Sequence, residues 1–271
     1  RVRMVAARRV TCGTYPRRPS LADDGGRRGR YRCRMEESRL LHPLCAPFGH
    51  EGTSGEGVLL LHGWTGSPAH LRLLGEAVAE AGHTVAAPLL PGHGTSIEDM
   101  VLTTWRDWVG GAGTAAQDIV DAGRRLHVVG LSMGGIIGVL LAPVFGVSSL
   151  TTINAPIAVY DWRVSMASMM RGSDSIVFGV GPESDDEEAA PYFQGYADNP
   201  VGRIADLRDL VRAARRTLDR VTCPALVIQS LADETVRPIS GRLIFDGLGS
   251  VDRRLMWLQE SRHVALLDGE R

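Results

Sequence analysis

The segment Gly130-Leu131-Ser132-Met133-Gly134 sets a serine between two glycines in the pattern G-x-S-x-G. The apolar run Leu126-His127-Val128-Val129 leads into it, and the small-residue stretch Gly134-Gly135-Ile136-Ile137-Gly138 leaves it, so the serine is expected on a sharp strand-to-helix turn. A turn of this kind presents the hydroxyl at the edge of a sheet and has no room for side chains at the two glycine positions. It also places a helix N-terminus where negative charge on an acyl oxygen would develop. The chemistry that suits this arrangement is acyl transfer through a covalent serine ester.

A serine hydroxyl is a weak nucleophile near neutral pH; it needs a base, and the base needs an acid to hold its tautomer. On such a turn the order along the chain is nucleophile, acid, base. Of the 8 histidines only His263 follows Ser132, in the loop Glu260-Ser261-Arg262-His263 behind the strand-like run Leu255–Leu258. The acid has more candidates: Asp161, Asp206, Asp209, Asp219, Asp233, Asp246 and Asp252. Asp233 is favoured because it stands just past the apolar strand Ala225-Leu226-Val227-Ile228, with Glu234 expected to point away. Asp161 is second, while Asp206, Asp209 and Asp219 read as solvated groups on an Arg-rich helix. His62-Gly63-Trp64 follows the first strong strand, so the backbone N–H groups of Trp64 and Met133 are the expected oxyanion donors. His62 and His93, the latter in the turn Pro91-Gly92-His93-Gly94, are expected to shape their loops through hydrogen bonds.

These residues need a scaffold. Short apolar runs at Val58–Leu61, Thr84–Ala87, Leu126–Val129, Leu150–Ile153, Ala225–Gln229 and Leu255–Leu258 alternate with helical patterns, which is the form of βα units and a mostly parallel sheet. Runs such as Val58-Leu59-Leu60-Leu61 do not alternate, as suits strands covered on both faces. Ser67 as N-cap, Pro68 in the first turn and Gly82 as stop bound a helix carrying Leu71, Leu74, Val78 and Ala81 on one face. Residues 157–220 interrupt this rhythm and read as a small helical cap, with an amphipathic helix over Arg203 to Arg220. Within the cap Met166, Met169, Met170, Ile176, Val177 and Phe178 are the candidates to contact an acyl chain.

All 30 basic residues are Arg, which excludes a phosphate-loop lysine, a pyridoxal Schiff base and a lysine nucleophile. Residues 1–50 hold 12 Arg against 4 acids, a surplus of 8, and the remainder holds 18 against 27, a deficit of 9. The basic head has no interleaved aromatics and no nucleic-acid module; it is expected to be a disordered leader, with Met35 as the natural start. The 4 cysteines have neither zinc-site nor disulfide spacing. The longest apolar stretch, Gly134 to Val147, is too short to span a bilayer, and no secretory signal is visible. Cytoplasmic residence is the default expectation.

Leu61-His62-Gly63-Trp64-Thr65-Gly66, Pro91-Gly92-His93-Gly94, Gly130-Leu131-Ser132-Met133-Gly134-Gly135, Ala232-Asp233-Glu234 and Ser261-Arg262-His263-Val264 together resemble the small bacterial carboxylesterases and monoacylglycerol lipases of the α/β-hydrolase fold. The likeness runs from about Gly57 to the C-terminus. It implies a mostly parallel sheet flanked by helices, a small helical cap inserted before the last two strands, and a domain over residues 51–271. It further implies a Ser-Asp-His esterase for small-molecule esters, without cofactor or metal, with Ser132 as nucleophile, Asp233 as acid, His263 as base and Trp64 and Met133 as oxyanion donors. The Arg-rich head has no counterpart in that family, and the chain stops 8 residues after His263, where the family continues into a final helix. An exposed apolar flank is expected there.

Hydrolysis of short- to medium-chain monoesters is the leading function. Monoacylglycerol hydrolysis, or C–C hydrolysis or perhydrolysis with the same triad, are the enzymatic alternatives, since fold does not fix function. A catalytically silent relative would be marked by a missing triad member, and here all three are present.

Overall fold

The computed structural model describes residues 40–158, 176–178 and 186–270. Its strands are β1 (Phe48–His50), β2 (Glu56–Leu61), β3 (Thr84–Ala87), β4 (Arg125–Leu131), β5 (Ser149–Ile153), β6 (Ile176–Phe178), β7 (Asp198–Pro200), β8 (Ala225–Ser230) and β9 (Arg253–Leu258). The helices are α1 (Arg72–Glu80), α2 (Ile97–Val101), α3 (Trp105–Asp121), α4 (Met133–Phe145), α5 (Val201–Arg215) and α6 (Ile239–Gly247). One sheet of seven strands has the order β1-β3-β2-β4-β5-β8-β9, parallel throughout except for the antiparallel pairing of β1 on β3. Among the described residues no helix is long and apolar enough to cross a membrane.

The apolar strand runs are explained by burial on both faces. In β2, Leu59 and Leu61 belong to one core with residues of α3 and α4, whereas Val58 and Leu60 belong to a second that packs against Leu74 and Val78 of α1. Ser67 caps the turn before α1 as expected, its hydroxyl accepting from Ala69 N, and a single 3₁₀ turn at Pro68–Leu71 precedes the helix. α4 is apolar nearly all round, with Met133 to Val139, Leu141 and Ala142 buried, which is the composition of a helix enclosed by the sheet and its neighbours. α3 begins with Thr104 and Asp107 satisfying each other's terminal groups in a capping box.

Two expectations are corrected here. The leader assigned to residues 1–50 does not extend that far: Leu40–His50 is part of the folded unit. Leu41 N donates to Gly94 O over 2.8 Å, Arg72 donates to Leu44 O and Ala46 O, and its guanidinium lies 4.8 Å from the centre of the Phe48 ring. Counting charge over 50 residues averaged this segment with the Arg-rich stretch before it; residues 1–39, with Met35, lie outside the described residues.

The second correction concerns the helix expected over Arg203 to Arg220. It runs as α5 over Val201–Arg215 and is followed by a 3₁₀ turn at Leu218–Arg220. It packs against α4 and α3, placing Leu210, Val211 and Ala214 in the main core, so it belongs to the layer flanking the sheet. Asp206 is accordingly not a solvated group: it is 3% exposed, its Oδ2 lies 3.2 Å from Arg203 Nη1, and Arg203 also donates to Thr103 O. A charged helix pattern shows which residues share a face but not what that face meets. Asp206→Ala is expected to cost about 3 kcal/mol in urea unfolding, because it leaves the largely covered Arg203 guanidinium without its carboxylate. A loss below about 0.5 kcal/mol, as for ordinary surface sites, would restore the solvated reading.

Candidate active site

Ser132 sits between the end of β4 and the start of α4 with φ 54° and ψ −120°, a left-handed conformation that costs of order 1–3 kcal/mol and requires tight surroundings to persist. The flanking glycines are explained by close approach. A Cβ on Gly130 would stand 2.3 Å from Gly134 C, and one on Gly134 would stand 2.1 Å from Leu61 O. Ser132 N donates to Ile153 O over 2.8 Å, fixing the turn to β5. Met133 opens α4, so its N–H is one of the helical donors without an intrahelical acceptor.

The turn Gly63-Trp64-Thr65-Gly66 lies against this serine: a Cβ on Gly63 would stand 3.1 Å from Ser132 Cβ and 3.6 Å from its Oγ. The loop after β2 and the N-terminus of α4 thus meet at one hydroxyl. The Trp64 indole packs edge-on against buried Trp108, with ring centres 5.2 Å apart.

The other two expected residues are joined directly. His263 Nδ1 and Asp233 Oδ2 are 2.8 Å apart, with the Asp233 side chain fully buried and that of His263 21% exposed. Asp233 follows β8, and its Oδ1 accepts from both Thr235 N and Val236 N at 2.8 Å, so the loop's own backbone aims the second oxygen at the imidazole. Glu234 is exposed. The loop carrying His263 is held by two carboxylates. Glu270 accepts from Gln259 N, Glu260 N and Ser261 N, bonds that pull its pKa down to about 2, and Asp268 accepts from Arg262 N.

The remaining histidines near the site are structural. His62 is fully buried and donates from Nδ1 to Gly63 O while its Nε2 accepts from Leu90 N, the pattern of one neutral tautomer. Burial, and then the adjacent His93, hold its pKa well below the usual value. Burial brings His93 and His70 to about 4, with the neighbouring His263 adding to the effect at His70. All three are neutral at pH 7 and unsuited to taking a proton there.

A model described as "Alpha/beta hydrolase family" matches residues 58–271. The chain belongs to the alpha/beta hydrolase family. This hydrolase is 36% identical over 213 residues, 78% of its length and 84% of the relative's, to a thermostable monoacylglycerol lipase from Bacillus sp. (strain H-257). It is 29% identical over 228 residues, 83% of its length and 91% of the relative's, to a carboxylesterase from Bacillus subtilis (strain 168). A chain solved in work on LipS and LipT, two metagenome-derived lipolytic enzymes, superposes with a TM-score of 0.79 at 36% identity, covering 84% of this chain and 93% of the other. The monoacylglycerol lipase of Paleococcus ferrophilus shares the fold, with a TM-score of 0.70 at 19% identity over 83% of this chain and 92% of its own.

In this hydrolase the site also depends on a residue absent from any motif. Asn154, fully buried with φ 47°, directly follows β5. Its Oδ1 accepts from Ser230 N at 2.7 Å and Gln229 Nε2 at 3.2 Å, and its Nδ2 donates to His263 O at 2.8 Å. One amide therefore joins the strand beside Ser132, the strand before Asp233 and the backbone of His263. Its single legible signal was an Asn directly after a strand, where a left-handed residue is favoured. Of the acyl-contact candidates, Met166, Met169 and Met170 lie outside the described residues, as does Asp161. Ile176, Val177 and Phe178 form β6, paired antiparallel with β7, and their side chains lie outside the description.

Proposed function

We propose that this chain hydrolyses short- to medium-chain carboxylic monoesters by an acyl-enzyme mechanism, with Ser132 as nucleophile, His263 as general base and acid, and Asp233 as the group that orients it. Carboxylic-ester hydrolysis as a class rests on family membership and on relatives named carboxylesterase and monoacylglycerol lipase. The observation that carries the finer reading is the 2.8 Å contact between His263 Nδ1 and the buried Asp233, delivered from the ends of neighbouring strands. It leaves Nε2 of His263 as the lone-pair nitrogen, free to take the Ser132 proton. Attack on the ester carbonyl gives a tetrahedral oxyanion, for which the N–H groups of Trp64 and Met133 are the donors. His263 then returns the proton to the leaving alcohol, and a water activated the same way releases the acid.

A fluorophosphonate probe tests this directly. Stoichiometric labelling of Ser132, with loss of ester hydrolysis in step, is expected; labelling elsewhere, or turnover by fully labelled protein, would overturn the assignment.

The insertion between β5 and β8 is short, so one acyl chain is the expected load. Each buried methylene adds about 0.8 kcal/mol until the pocket ends. The specificity constant is expected to rise from acetyl to butyryl–octanoyl esters and to fall for palmitoyl, with monoacylglycerols hydrolysed faster than triacylglycerols. Faster turnover of emulsified long-chain triglyceride than of dissolved monoester, in a pH-stat comparison, would contradict it. Monoacylglycerols are the favoured natural class within this reading because the relative at 36% identity carries that name.

A further inference from the structure

The turn bearing the Trp64 N–H is held in a conformation its own residues disfavour. Gly66 N donates to Gly63 O over 3.2 Å, closing the turn, and Thr65 within it has φ 56°. For a β-branched residue that is a steric outlier, at a position where glycine would sit freely. Such a conformation persists only where its surroundings over-determine it.

The surroundings come from far away in the chain, from the segment that returns out of the insertion. Tyr196 N donates to Thr65 O at 2.8 Å, Ser67 Oγ donates to Gln194 O at 2.7 Å, and Trp64 Nε1 donates to Asn199 Oδ1 at 2.9 Å. Between them Gly195 passes so close that a Cβ there would stand 2.7 Å from Thr65 O and 3.2 Å from Gly66 Cα. The segment is itself anchored: the Tyr196 hydroxyl donates to Gly92 O at 3.0 Å and accepts from Thr95 N at 2.9 Å. Both faces of the turn are therefore fixed, one by Ser132 and α4, the other by residues 194–199.

We infer that residues 194–199 are a strap that positions the oxyanion donor, holding Thr65 left-handed and so aiming the Trp64 N–H at the acyl oxygen. Gly195, Tyr196 and Asn199 are positioning residues; none is placed to touch the reacting atoms. The strap continues into β7, which pairs with β6, so these two strands and the oxyanion turn form one hydrogen-bonded unit. The inference rests on the serine-hydrolase reading above. Because an oxyanion donor acts on charge that appears only in the transition state, loosening the strap lowers kcat and leaves KM nearly unchanged.

The test uses Asn199→Ala, which removes the indole's acceptor, and Gly195→Ala, which wedges a methyl between strap and turn. Each is assayed on a soluble monoester and for affinity toward a boronic acid that mimics the tetrahedral intermediate. Loss of a whole oxyanion donor costs about 10²–10³ in kcat, and a misaimed one is expected to cost about ten- to hundredfold, with KM within about threefold and boronate affinity falling in step with kcat. Adding Thr65→Gly to Asn199→Ala is expected to recover most of the loss, since glycine adopts the turn unaided; a merely structural role would lower Tm without separating kcat from KM and without rescue. If Gly195→Ala does not fold, Asn199→Ala carries the test. Undiminished kcat in Asn199→Ala, in a protein whose wild type is labelled at Ser132 by a fluorophosphonate, would overturn the strap alone. A wild type that is not labelled would overturn the serine reading beneath it.

Discussion

Ser132→Ala is expected to lower kcat for ester hydrolysis about 10⁵- to 10⁶-fold, the scale seen when the nucleophile of a serine hydrolase is removed. The loss is chemical and not structural. Alanine keeps the Cβ that packs against Gly63, and its backbone meets the same requirement at φ 54°, so the thermal midpoint should stay within a few degrees of the wild type. Substrate binding should survive, and a fluorophosphonate should no longer attach. A variant that kept a tenth of the activity would show that the nucleophile lies elsewhere, however well the turn is formed.

Asp233→Asn is expected to cost about 10²- to 10⁴-fold in kcat with little change in fold, and the hydrogen bonds indicate why. Two backbone N–H groups, those of Thr235 and Val236, point at Oδ1. An asparagine must turn its carbonyl oxygen toward these donors, since its NH₂ would clash with them, and that puts the NH₂ against His263 Nδ1. Nδ1 is then forced to accept, the proton moves to Nε2, and the nitrogen that should take the Ser132 proton already carries one. Measuring kcat alongside the melting temperature separates this from unfolding. A loss below tenfold in a stable protein would move the acid to another residue, with Asp161 first in line.

The elbow, the candidate base and the candidate acid are legible in the sequence for different reasons. The elbow is a local steric demand: a left-handed serine wedged between backbone segments admits only glycine two positions before and two positions after it, and that demand is written within five consecutive residues. His263 was legible by chain order, because no other histidine follows Ser132. Asp233 was legible by its position after an apolar run, which a parallel sheet converts into a place at the carboxyl edge beside the loop carrying His263. In each case the information is short in range or depends on order alone.

What the tertiary structure decided involves pairs of segments far apart in sequence. In the sequence Asp206 is one more charge on an Arg-rich helix, but α5 packs on α4 and α3, which buries it. Leu40–His50 looked like the tail of a basic leader until Arg72 and β3 supplied its partners. Asn154, Gly195, Tyr196 and Asn199 belong to no motif; each acts through a contact with a residue 75 to 135 positions away, as Asn154 does with Gln229 and His263 and Asn199 with Trp64. The sequence by itself determined the scaffold and the identity of the candidate chemical groups, because sterics, periodicity and order are properties of short stretches. Only the folded chain decided how those groups are held, because a buried amide or a strained turn acquires its function from the partner that packing brings to it.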